Sequence, residues 1–384
     1  MVRTIKDIPY GFCTYVVVLF LFASGLSAQE EGSSSSITVK YTYVADAFYL
    51  MDFVCEASDF PPNQMKEYRD FWEEHYGISE IDQAYIEKYR TIRKKHLKYY
   101  FKSETEEYPD NLFPKLEEAF NDPMAQAFFG AADFDQAFDA LQIAADDLKE
   151  LKAFYQHFGD KIKRLIGDSR AVLSPLIQKI NDFLHQKIVL GHLEKIRVFY
   201  NSIPKEYTAR IVWRPAKGGF EFRGCLYNGY LLIQISPEMV SRIETDFDAF
   251  MLYMSIIIHE STHGFSQNQP EEQKIRLTKR FLEGSGPLKD IPSKYPRTDV
   301  AFFLEEPLVQ ILSQALFFKA HYPELFDSEI AFYSRHPLVG QYLPLVEPYF
   351  NKGRAIDGNL ALELGKAYKV LKEQKDNSRE EKQS

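Results

Sequence analysis

The stretch MLYMSIIIHESTHGFSQNQ, residues 251–269, decides how the rest of the chain is read. Within it His259-Glu260-Ser261-Thr262-His263 forms an H-E-x-x-H pentapeptide at the end of an apolar run. Leu252, Ile256, Ile257 and Ile258 make the preceding turns apolar on nearly every side, which predicts a buried helix. Residues four apart on a helix lie about one turn apart on the same face, so the imidazoles of His259 and His263 can converge on one ion. Glu260 is rotated by about 100° from His259, too far round to ligate beside it but within reach of a water held by that ion. Burying two imidazoles and a carboxylate without partners costs several kcal/mol, and a metal would satisfy all three. The expectation is a Zn2+ site with Glu260 as general base.

The segments on either side of this helix extend the reading. Residues 207–213 (YTARIVW), 219–227 (GFEFRGCLY) and 230–236 (YLLIQIS) are rich in strand formers, with turn signals at 215–219 and at Asn228-Gly229. A small antiparallel sheet is therefore expected directly before the motif helix, its edge open to strand addition by an extended peptide. Ser236-Pro237 reads as a helix start, and Thr245 with Asp248 as another capping pattern. Downstream, residues 300–319 (VAFFLEEPLVQILSQALFFK) place Glu305-Glu306 in an otherwise apolar segment. Two such carboxylates are costly to bury unless one is bound. Glu306 is the favoured third ligand, with Gln310 one turn later on its face to orient it. Pro307 biases the residue before it away from helix, so Glu305 stays open as the alternative. Gly264, directly after the second histidine, allows close backbone approach. The Gly/Pro-rich residues 284–296 connect the two ligand-bearing segments and could border the cleft.

These residues resemble the zincin metallopeptidases, in which a sheet is followed by a helix bearing H-E-x-x-H. The metzincin branch would have Gly at 266 and His at 269, where this chain has Ser266 and Gln269, so that branch is excluded. The gluzincin branch takes a glutamate from a later helix, which Glu306 or Glu305 supplies. The chain is also similar to a group of secreted bacterial zincin-like proteins with a helical N-terminal part. The resemblance implies an α+β fold, mainly helical, with the small antiparallel sheet preceding the metal-binding helix. It further implies zinc held by His259, His263 and Glu306, and peptide-bond hydrolysis by a water that Glu260 activates. An oxyanion donor is still needed; the candidates are Tyr333 and His336, with His321 and Tyr342 also in that aromatic stretch. Two function classes stay open: a secreted zinc metallopeptidase acting on peptide or protein substrates, and a non-catalytic zincin-like binding protein of the periplasm or cell surface. The intact pentapeptide favours the first.

Residues 1–28 read as a secretory leader. Arg3 and Lys6 give the positive start, 12–23 the apolar stretch, and Leu26-Ser27-Ala28 a cleavage site before Gln29. The apolar run is too short for a permanent span, so the expected product is secreted or periplasmic, with no stable membrane anchor after cleavage. Loss of Arg3, Lys6 and Asp7 takes the formal charge from −9 to −10, which argues against binding to nucleic acid or anionic lipid. Cys13 leaves with the leader, and Cys55 and Cys225 could pair. An exported chain so poor in cysteine points to a bacterial source.

Residues 29–36 (QEEGSSSS) read as a flexible linker, 37–43 as a short strand, and 45–58 as a core helix ended by Pro61-Pro62. Region 37–200 is expected to be mainly helical, with breaks at Gly77, Pro109, Pro114, Pro123, Gly130, Gly159, Gly167, Pro175 and Gly191. Phe71, Trp72, Tyr76, Tyr85 and Tyr89 read as packing stripes. Asp133, Asp135, Asp139, Asp146 and Asp147 lack a calcium-loop pattern and read as a solvated face. His96, His157, His185 and His192 read as structural. The catalytic region is placed at 201–365, and 366–384 as a charged, partly disordered tail that starts helical.

Overall fold

The strand-forming segments around the predicted hairpin form a sheet that also recruits the first strand of the chain. In the computed structural model, which describes residues 35–57, 62–96, 122–167, 169–203, 205–215, 223–227, 230–286, 304–326 and 338–380, the strands are β1 (Ser36–Lys40), β2 (Glu206–Trp213), β3 (Arg223–Tyr227) and β4 (Tyr230–Ile235). Their order is β1-β2-β4-β3. Ile37 lies opposite Tyr207 in a parallel pair, Ile211 opposite Ile233 in a second parallel pair, and Tyr227 opposite Tyr230 in the one antiparallel pair. The hairpin read from Asn228-Gly229 is thus present as two paired strands, its turn residues lying outside the described residues. The expectation of an antiparallel sheet is corrected: the sheet is mixed and mostly parallel. The reason is strand order: β4 lies between β2 and β3, so β2 and β4 run parallel with β3 in the connection between them, and β1, from far upstream, adds a second parallel pair across the intervening helices.

Alternation along the strands sends successive side chains into two separate cores. Ile37, Val39, Tyr207, Ala209, Ile211, Leu231, Ile233 and Ile235 face one, while Val212 and Leu232 face the other. The second core is built by α1 (Tyr43–Val54), α2 (Pro62–Tyr76), α3 (Glu80–His96), α4 (Pro123–Gly130), α5 (Phe134–Ala140) and α6 (Ala145–Ile162). The first belongs to α7 (Ser169–Leu184), α8 (Lys187–Tyr200), α9 (Pro237–Thr245), α10 (Phe247–Gln267), α11 (Glu271–Ser285), α12 (Glu306–Gln310), α13 (Leu316–His321), α14 (Pro323–Phe326), α15 (Val339–Asn351) and α16 (Gly358–Glu380). The described residues are therefore mainly helical around a small sheet and pack as one unit. A boundary at residue 200 would leave β1, on its N-terminal side, in the sheet of the C-terminal side.

Helix α1 is buried along its whole length from Val44 to Val54, as a segment apolar on most faces requires. Its Asp46 accepts a 2.7 Å hydrogen bond from the Trp213 backbone N–H, and Tyr68 Oη donates to the Trp213 carbonyl at 3.0 Å, so the helical layer is tied to the end of β2. Trp72 and Tyr89 are fully buried, and Phe71, Tyr76 and Tyr85 pack against the same core, as the stripes predict. Asp133 caps α5 by accepting from Gln136 N.

Several local expectations shift. Ser35 is buried and accepts from Lys205 N, and Ser36 opens β1, so the linker gives way to the fold before residue 36. Gly159, Pro175 and Gly191 lie inside α6, α7 and α8 and break none of them. Asp246, not Thr245, caps α10, accepting from Asp248 N and Ala249 N. Cys55 is a free, buried thiol, so the pairing with Cys225 is not made. Helix α16 continues to Glu380 and buries Leu360, Ala361, Leu364 and Tyr368, so a boundary at 366 falls within one packed helix. Its Gly365 and Gly284 of α11 let the two backbones touch: an added Cβ at Gly365 would meet the Phe281 carbonyl at 2.2 Å. Among the described residues no helix is long and apolar enough to cross a membrane, and the leader-like residues 1–28 lie outside them.

Candidate metal centre

Helix α10 packs against β3 and β4, and its sequence sorts the pentapeptide into two faces. Ser261 and Thr262 point into the core, fully buried, with their hydroxyls returned to the Ile257 and Ile258 carbonyls at 2.7 Å each. That local bonding satisfies polar groups that burial would otherwise penalise. His259, Glu260 and His263 occupy the half-buried side. The two imidazole centroids are 4.9 Å apart, as one helical turn predicts.

The third side chain arrives from α12. Glu306 opens the α-helical stretch with Pro307 next to it, directly after a π-helical Leu304-Glu305, so the residue before the proline is helical here despite its usual bias. Glu306 Oε1 is 3.6 Å from His259 Nε2, and Oε2 is 3.2 Å from His263 Nε2. One ligand atom from each of His259, His263 and Glu306 lies within 4.8 Å of the others, so the three could hold a metal ion. Gln310 donates to Glu306 Oε1 at 2.8 Å, the role its spacing predicts. Glu305 takes a different place: it meets His263 Nδ1 at 3.1 Å, on the far side of the ring from Glu306.

A π-helical turn, Ile311–Ala315, follows α12 directly. Such turns displace the regular backbone pairing. Here the Leu312 carbonyl is bonded by the buried His192 Nε2 at 2.7 Å. That contact fixes His192 as a structural histidine, as expected, and burial pushes its pKa down to about 3. Helix α8, which carries His192, ends in Tyr200, whose buried hydroxyl has no hydrogen-bond partner among the described residues and feels the charges of Glu305 and Glu306. Nothing in the sequence linked Tyr200 to these carboxylates, because their proximity depends on the fold and not on any spacing.

The electrostatics follow from confinement. Burial raises Glu260 to about 7, and the neighbouring Glu306 charge pushes in the same direction. Burial lowers His259 to about 4, with repulsion from His263 adding to it. Burial also works against His263, but hydrogen bonds to Glu305 and Glu306 outweigh it and hold this imidazole well above its usual range. Glu306 resists burial for the same reason and is drawn down to about 2, chiefly by its hydrogen bond with His263 and the nearby imidazoles. His259 Nδ1 is buried and unpartnered in this arrangement.

The remaining sequence candidates divide. Tyr342 is fully buried, which removes it from reach of a substrate. His321 packs its ring against Phe317 and His192. Tyr333 and His336 lie outside the described residues. Gln269 is engaged with the Ser266 carbonyl and with Gln273.

Gly264 is explained by Tyr207 of β2. A Cβ there would lie 2.5 Å from Tyr207 Cε1, and the ring is hemmed in by Phe265 and by a 2.7 Å bond from Asn268 Nδ2 to its hydroxyl. Gly264→Ala is expected to destabilise the fold by about 1–2 kcal/mol, since overpacking costs about 1–3 kcal/mol and alanine regains up to about 1 kcal/mol of helix propensity. Urea unfolding measures this, and a mutant as stable as the parent would mean that the ring moves aside freely.

No protein-family model matches the chain, and no curated protein or solved structure matches it either.

Proposed function

We propose that the chain is a zinc-dependent metallopeptidase of the gluzincin type, exported by its leader-like start and acting on peptide or protein substrates. The observation that carries the proposal is the position of Glu306, brought from a separate segment to face Nε2 of both motif histidines. The donor set fits the ion: two imidazole nitrogens and one carboxylate oxygen make an open zinc site, with a coordination position left for water. Charge supports it as well. Glu260, Glu305 and Glu306 crowd beside two imidazoles, and a divalent cation would offset the surplus of carboxylates.

When bound, Zn2+ would supply Lewis-acid polarisation of a peptide carbonyl and of the attacking water. Glu260 takes the proton from that water and returns it to the leaving amine. Gln310 holds the Glu306 carboxylate in place. Strand β3, at the sheet edge beside α10, offers main-chain groups to an extended peptide.

The test is metal content. The purified protein is expected to hold about one zinc per chain and His263→Ala to hold none. Absence of zinc from both, after incubation with the metal, would overturn the proposal.

A further inference from the structure

The adjacent carboxylates Glu305 and Glu306 approach the same imidazole from opposite sides. Glu306 Oε2 lies 3.2 Å from His263 Nε2, and Glu305 Oε1 lies 3.1 Å from Nδ1. Consecutive helical residues point about 100° apart, so one segment can place its two acids on different atoms of one ring. Glu305 is itself in helical conformation, at φ −71° and ψ −54°, and its side chain is 14% exposed, which makes the contact a packed one.

We propose that Glu305 is a positioning residue: its carboxylate accepts the Nδ1 proton of His263 and thereby fixes the tautomer that presents the Nε2 lone pair to the metal. The inference rests on the zinc reading of the same site. A neutral imidazole carries one proton on either nitrogen, and an acceptor at Nδ1 selects the form with Nε2 free. The same contact stops the ring from rotating about its χ2 bond. Such outer carboxylates also make the ligand nitrogen more basic, and removing one lowers metal affinity roughly 10–100-fold. His259 has no equivalent, its Nδ1 being unpartnered among the described residues, so orientation of the pair depends on His263.

The experiment is a zinc titration against a chromophoric chelator on the full chain, with Glu305→Ala, Glu305→Gln and Glu306→Ala, together with Co2+ absorption spectra of each. Glu305→Ala is expected to bind roughly 10–100-fold more weakly with an unchanged Co2+ spectrum. Glu305→Gln, which keeps a carbonyl acceptor, should recover part of the loss. Glu306→Ala should alter the spectrum itself, because a ligand is gone. Wild-type affinity in Glu305→Ala, or a changed spectrum there with a normal one in Glu306→Ala, overturns the assignment. A parent protein that binds no zinc defeats the zinc reading instead. In that case the Glu305 contact is tested in the metal-free protein, where the low-field Nδ1 proton of His263 should disappear in Glu305→Ala, and its persistence overturns the contact.

Discussion

Glu260→Gln is expected to keep its zinc and lose peptide hydrolysis by at least about 10²–10⁴-fold in kcat/KM, the range that a well-placed proton-transfer group contributes. The amide has the same shape as the carboxylate and leaves His259, His263 and Glu306, the three groups that converge, untouched. It cannot accept a proton from water. Turnover should therefore fall while zinc content and the stabilisation that zinc gives against heating stay those of the parent. The pH profile carries a matching expectation. Glu260 must be ionised to act, and in the metal-free site burial sets it near pH 7. A divalent cation beside it favours the charged form, so activity should decline on the acid side at a pH below 7. Unchanged turnover in the mutant would remove Glu260 as the base, whereas zinc binding with no hydrolysis in either parent or mutant would leave the domain as a metal-holding binding protein.

The parts of this site that were legible in the sequence are those governed by one helix at a time. His259 and His263 face the same way because of the helical repeat, and Gln310 reaches Glu306 by the same rule. Glu306 was visible as a charge in an apolar segment. What the sequence left open was the choice between Glu306 and Glu305, because it turns on a rotation of about 100°. That rotation depends on how α12 enters and on the π-helical turn after it, held by His192 from a helix more than a hundred residues upstream. The sheet divides in the same way. Individual strands and the hairpin followed from alternation and from Asn-Gly, whereas the direction of the sheet depended on strand order, with β4 beside β2 in place of β3 and β1 joining from far upstream, and neither pairing leaves a local mark. The stretch 366–384 starts helical, as its charge pattern suggests, and what the sequence does not show is the contact of Gly365 with Gly284 that docks the helix just before it, which is visible only with both helices in place.

Arg93→Met is expected to be among the most destabilising single substitutions in the helical layer, by about 3–5 kcal/mol, the cost of removing one partner from a buried ion pair. Arg93 is wholly buried. It bonds Asp52 through Nε at 2.7 Å and Nη2 at 2.8 Å, and Asp122 through Nη1 at 3.0 Å and Nη2 at 2.6 Å. Tyr89 adds a 2.9 Å bond to Asp52, and Asp122 also caps α4 through Met124 N and Ala125 N. Loss of the guanidinium strands two buried carboxylates, and burial, which already raises the Asp52 pKa, is then no longer opposed by the Arg93 charge. The folded mutant then binds more protons than its unfolded chain at pH values above the ordinary carboxylate range. Its deficit relative to the parent should accordingly shrink as pH falls, giving a smaller gap in urea midpoint at pH 5 than at pH 8. Asp52→Asn/Arg93→Met/Asp122→Asn should recover much of the stability, because it removes both charges and retains a capping side chain at residue 122. A single mutant as stable as the parent would mean that the carboxylates find other partners. Because α1 and α2 are bonded to the Trp213 backbone at the end of β2, and β2 lines both cores, the loss should appear as one cooperative transition that carries the metal site with it. Two separate transitions, with zinc retained after the first, would show instead that the helical layer folds independently of the motif helix.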